Sequence, residues 1–182
     1  MRAQVCNLAS LKWVMKKVYN KYVYELIALD FLILYKFFCV RKVLLIGVGN
    51  VLRGDDGVGA VVCDRIEELK ITNATIIKAH QLQIELLDEM LAFDKILIVD
   101  ASVGITDVII KKVTEENIGA ASSHHTDVAI FLQLAQQLYN KQIDIYTCAI
   151  PAFNFELGER LTEKTKFFAE QAIEKILQWM KF

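Results

Sequence analysis

Two adjacent carboxylates, a third at the end of an apolar run, and a pair of histidines are the residues of this chain best suited to chemistry. Asp55 and Asp56 close a glycine-containing loop in VLLIGVGNVLRGDDGVG, Val43–Gly59. Asp100 ends the run KILIVD, and Ser122-Ser123-His124-His125 precedes a helical stretch. Carboxylate oxygens with an imidazole nitrogen, and no cysteine, make a donor set for a borderline divalent ion such as zinc, nickel or manganese. Three such ligands leave coordination positions open for a substrate group. Each residue also has an ordinary reading. Asp56 can cap a helix, Asp100 a turn, and the histidines can be surface residues before a helix capped by Asp127. Only their placement together on one edge of a sheet favours a site.

The elements that must position them can be read from periodicity. Val43-Leu44-Leu45-Ile46 is a short apolar run of the kind found in fully buried strands. Gly47 and Gly49 let the backbone turn tightly after it, and Asn50 and Arg53-Gly54 continue the loop. Gly57–Leu69 puts Val58, Val61, Val62, Ile66 and Leu69 on one helical face. The same reasoning predicts a strand over Ala74–Ala79, a loop at His80–Gln83, a helix over Ile84–Phe93 and a strand over Lys95–Asp100. Asp107–Val113 reads as an edge strand because of its lysines. Thr114–Ser123 reads as a loop, Thr126–Tyr139 as a helix, Gln142–Ile150 as a strand, Pro151–Arg160 as a loop and Leu161–Lys181 as a closing helix. Strands alternating with helices imply an α/β fold, doubly wound, with a largely parallel sheet covered by helices on both faces. In such folds ligands bind beyond the carboxyl ends of the strands. All the candidate residues fall on that edge.

The composition narrows the function classes. A chain of 182 residues with net charge −1 has no electrostatic case for nucleic acid. Cys6, Cys39, Cys63 and Cys148 lie far apart with no CxxC pair, which fits reduced thiols in the cytoplasm. They also sit within expected strand or helix cores, so no cysteine or serine nucleophile constellation is visible. Residues 1–40 differ from the rest: they lack glycine and proline and are rich in aromatics. Glu25, Asp30 and Lys36 interrupt their apolar stretch, which argues against a membrane span, and no cleavage site follows to make a signal peptide. We therefore expect an N-terminal extension, 1–40, ahead of a domain over 41–182. Because valine codons can initiate, Val40 is a candidate first residue, a point that mass spectrometry of the native N-terminus decides.

A dinucleotide loop is the nearest rival reading. Gly47 and Gly49 begin a GxGxxG pattern, but Leu52 occupies the third glycine position. Two carboxylates at the start of the helix would also repel a pyrophosphate. The residues instead make a different match. GVGNVLRGDDGVG, then LIVDAS, then SSHH before a helix resemble the hydrogenase maturation endopeptidases, and IPAFNFELGERLT is similar to that family's IP…G…L[ST] segment. The resemblance runs from about Val43 to the C-terminus.

It implies a phosphorylase/hydrolase-like α/β fold and an endopeptidase that removes the C-terminal extension of the [NiFe]-hydrogenase large-subunit precursor. The nickel would be supplied by that precursor rather than held by the protease. By the same resemblance, Asp56, Asp100 and His125 are the metal-binding positions. His124 is the alternative, because the [ST]-x-H pattern can be counted from Ser122 or from Ser123. Asp55, Asp56 and Asp100 are the catalytic candidates, Asp55 as a carboxylate that activates water. His80-Gln81-Leu82 departs from the glycine pair of other members, which bears on contacts to the substrate. A non-catalytic metal-binding or chaperone module that docks on an immature metalloenzyme would need the same ligands. Peptide-bond cleavage separates the two.

Overall fold

The computed structural model describes residues 42–114 and 123–181, with the side chains of 123–127 and of 129 outside the described set. The N-terminal extension and its candidate start therefore lie outside the described residues. Arg41–Phe182 forms one compact unit.

Five strands make one sheet: β1 (Val43–Val48), β2 (Ala74–Ala79), β3 (Lys95–Ser102), β4 (Ile109–Lys112) and β5 (Asp144–Pro151). Their spatial order is β2-β1-β3-β5-β4. Four strands run parallel, with Val43 beside both Ala74 and Lys95 and Asp100 beside Ala149. The fourth in sequence, β4, lies antiparallel to β5 at the edge, with Ile110 opposite Cys148. Its lysines suit that place, since Lys112 reaches solvent and pairs with Asp144.

Among the described residues the helices are α1 (Val58–Glu68), α2 (Leu86–Met90), α3 (Ser123–Tyr139) and α4 (Glu163–Met180), and a 3-10 turn, Gly54–Gly57, precedes α1. Alternation along β1 assigns them to faces. Val43 and Leu45 pack with Val58, Val62 and Ile66 of α1 and Ala169, Ala172 and Ile176 of α4. Leu44 and Ile46 point the other way, onto Leu87 and Met90 of α2 and Val128, Phe131 and Ala135 of α3. Strands buried on both faces cannot show polar alternation, which is why β1 and β3 read as continuous apolar runs.

Several boundaries differ from those expected. The second helix is only Leu86–Met90, because the residues on either side close tighter turns: Leu86 and Leu87 donate to Gln83 and Ile84 carbonyls, and Ala92 and Phe93 to Glu89 and Met90. β3 runs on to Ser102, drawn out by pairing with Pro151 of β5. The helix expected from Thr126 begins at Ser123, so both histidines lie in its first turn rather than in the loop before it.

The chain leaves β1 toward β2 on one side and returns to β3 on the other. The order of strands thus reverses between β1 and β3, and their carboxyl ends border the crevice where doubly wound sheets hold ligands.

Candidate functional site

The loop leaving β1 is shaped by close approach of its backbone to other backbone. Gly49 adopts φ +130°, and a Cβ there would stand 1.9 Å from the Asp56 carbonyl oxygen. Only glycine fits both the angle and the contact. Gly59, in the first turn of α1, lies so close to the sheet that a Cβ would come within 2.5 Å of both the Val99 and Val48 carbonyl oxygens. It performs the close helix-on-strand packing that a third glycine supplies in dinucleotide loops, from a different position in sequence. The acidic turn is thereby pressed against the ends of β1 and β3.

Asp56 is half-buried on this turn, and its Oδ2 accepts from the Asn50 amide at 2.8 Å. No donor among the described residues meets its other oxygen. Asp100, also half-buried, stands at the carboxyl end of β3, and its Oδ1 accepts from the Ala101 amide at 2.8 Å. Asp100 lies in β3 and Asp56 on the turn that follows β1, the two strands that border the crevice. The first turn of α3, which precedes β5 in the chain, holds His124 and His125. The side chains of both histidines lie outside the described residues. Among the described residues no three histidine, cysteine or acidic side chains are grouped to hold a metal. His80 is exposed at the end of β2, on this same edge.

Asp55 is placed quite differently from its neighbour. It is 0% exposed. Its Oδ2 accepts from the amides of Phe153 and Asn154 at 2.9 and 3.0 Å and from the Thr162 hydroxyl at 2.9 Å, and its Oδ1 accepts from the Thr162 amide at 2.6 Å. Burial alone would push its pKa up. The amides of Thr162 and Phe153 and the hydroxyls of Thr165 and Thr162 outweigh that and hold it below the usual aspartate value. A base that activates water must reach the water. Asp55 is enclosed, and donors occupy both of its oxygens. This geometry argues against the base role expected for it and leaves Asp56 and Asp100 as the accessible carboxylates.

The partners of Asp55 bring in a segment to which sequence reasoning assigned no contact, Pro151–Thr162. Gly54 donates to the Gly158 carbonyl at 2.6 Å, Asp55 to Asn154 at 2.9 Å, and Gly158 back to Leu52 at 2.9 Å. Arg53 Nε reaches the Phe155 carbonyl at 3.4 Å. The similarity of IPAFNFELGERLT to a family segment was the only signal of its importance. Its pairing with the glycine loop has no local pattern.

Cys63 and Cys148 are buried free thiols, and burial pushes both pKa values up to about 12. They stay protonated at neutral pH, so neither is a nucleophile.

Comparison with known proteins agrees with the fold. Residues 61–179, well over half of the chain, match the HycI hydrogenase maturation protease family. The chain belongs to that family.

A protein of Methanocaldococcus jannaschii, provisionally named a hydrogenase maturation protease, is 28% identical to this protease over 155 residues, covering 78% of this chain and 97% of that protein. The hydrogenase maturating endopeptidase HybD of E. coli superposes with a TM-score of 0.65 at 22% identity, over 77% of this chain and 92% of that one. The [NiFe] hydrogenase maturation protease HycI of Thermococcus kodakarensis gives a TM-score of 0.59 at 25% identity, over 82% and 99%. The mostly parallel five-stranded sheet with helices on both faces is the fold they share. Membership implies peptidase activity. The match begins inside α1, so the loop that bears Asp56 precedes the matched residues. Among the described residues no helix is long and apolar enough to cross a membrane.

Proposed function

We propose that this protease removes the C-terminal extension of a [NiFe]-hydrogenase large-subunit precursor after nickel has been inserted. The observation that carries this reading is the position of Asp56, on the turn after β1, and of Asp100, in β3, beside the crevice between those two strands, in a chain of the hydrogenase maturation protease family. His125 and its alternative His124 lie in the first turn of α3. Oxygen and imidazole donors suit nickel, and three of them leave room for ligands that the precursor supplies. In this reading nickel arrives with the substrate. Asp56, Asp100 and the histidine recognise it and hold the precursor's tail across the crevice. Asp56 and Asp100 are also the carboxylates accessible enough to orient or deprotonate a water at the scissile bond. We place the reaction in the cytoplasm, a compartment that keeps thiols such as Cys63 and Cys148 reduced.

The test is a processing assay on the cognate large-subunit precursor, with and without nickel, read by the mass of the product. Loss of C-terminal residues only from the nickel-loaded precursor is the expected result. Cleavage without nickel removes the metal-sensing role. No cleavage of a nickel-loaded cognate precursor overturns the endopeptidase reading in favour of a docking module.

A further inference from the structure

The position of Asp55 offers an inference that rests on the endopeptidase reading and deepens it. We propose that Asp55 is a positioning residue: its buried carboxylate fastens the segment Pro151–Thr162 to the loop Gly49–Asp56 and thereby sets the direction of the Asp56 carboxylate.

Four donors converge on this one side chain from residues 98 to 107 positions away in sequence. The backbone around it is fastened to the same segment, Gly54 to Gly158 at 2.6 Å and Asp55 to Asn154 at 2.9 Å. The next residue is Asp56, with its carbonyl pressed on Gly49 and its carboxylate on the Asn50 amide at 2.8 Å. Consecutive residues share a planar peptide, and the Asp56 amide also donates to the Arg53 carbonyl at 3.2 Å, so anchoring Asp55 restricts the backbone from which the Asp56 carboxylate projects. Thr162 links this clamp to α4. Its hydroxyl donates to Asp55 and also accepts from the Thr165 amide at 3.3 Å as the helix N-cap. Thr165 in turn donates to the Pro151 carbonyl at 3.3 Å, closing the segment on itself. The start of the closing helix and the end of β5 therefore hold Asp56 without touching it.

The experiment compares Asp55→Asn, Thr162→Val and Thr162→Ser in the full chain. Folding is followed by circular dichroism, the Asn50 amide by its signal in the proton–nitrogen spectrum, and activity by kcat and KM on the nickel-loaded precursor. Removing one donor of the four in Thr162→Val should leave a folded protein with a displaced Asn50 amide signal. Its kcat should fall about tenfold or more with little change in KM, since small displacements of reacting groups are costly. Thr162→Ser, which keeps the hydroxyl, should restore both readouts. A Thr162→Val protein that melts earlier yet keeps the wild-type Asn50 signal and kcat overturns the proposal, and Asp55 then only stabilises the fold. If Asp55→Asn does not fold, Thr162→Val decides. The Asn50 signal needs no precursor. Failure of the wild type to cleave would overturn the endopeptidase reading alone, and the amide would still decide the positioning role.

Discussion

At the scale of the residue, two adjacent aspartates have opposite parts. Asp55 is enclosed by four donors, whereas Asp56 is half-buried and keeps one oxygen on the Asn50 amide. In the endopeptidase reading, Asp56→Ala and Asp100→Ala should each lower precursor processing by about 100-fold or more, as loss of a carboxylate that acts on the reacting atoms commonly does. Neither substitution removes buried apolar surface, so the circular dichroism spectrum should be unchanged. A fully active Asp100→Ala enzyme would refute the site assignment. The same assay separates the histidines. His125→Ala should be inactive and His124→Ala active, and the reverse result moves the ligand by one residue.

At the scale of the element, the site depends on how closely α1 lies on the sheet. Val58, Val62 and Ile66 bury its apolar face against β1 and β3, and Gly59 permits the contact. Gly59→Ala would force a methyl to within 2.5 Å of two strand carbonyl oxygens. Backbone cannot rotate away as a flexible side chain does, so the helix must shift. We expect a cost of about 1–3 kcal/mol in urea unfolding, the usual range for overpacking. Processing should fall as well, because the Asp56 turn precedes this helix directly. Equal stability of the variant and the wild type would show that the helix slides without penalty. The helices themselves were largely legible in the sequence: α1 in its apolar face, and α4, expected over Leu161–Lys181 and found at Glu163–Met180. The second helix was shorter than its pattern because its ends tighten into i→i+3 turns, which the spacing of apolar residues does not register.

At the scale of the whole molecule, the buried Asp55 carboxylate ties residue 55 to residues 153–162 and so joins the first strand–helix unit to the last. Its pKa lies below the ordinary aspartate value of 3.8. A depressed pKa means that the folded state binds the proton less readily than the unfolded chain does. The contribution to stability is therefore complete above the ordinary value and is lost as pH falls through the folded one. Thermal melts of the wild type should lose this contribution only below about pH 4. In Asp55→Asn, if it folds, that part of the acid dependence should be absent while the stability at neutral pH is lower. An identical acid limb in both proteins would show that the charge on Asp55 does not support the fold.

The sequence by itself determined the architecture and the edge on which chemistry could occur. Buried strands in β1 and β3, glycines where the backbone must pass close, acids after β1 and at the end of β3, and a histidine pair near the start of a helix are all local patterns. They follow from sterics and from the period of burial, which act over a few residues. Which of Asp55 and Asp56 turns inward was decided only by the tertiary structure. The two are chemically identical and adjacent, and either could cap the turn. The choice is made by amides and a hydroxyl about 100 residues away in sequence, which reach the turn only once β5 and α4 have packed against the sheet. Hydrogen-bond donors on a folded loop carry no periodicity, and for that reason the clamp could not be read before the chain was folded.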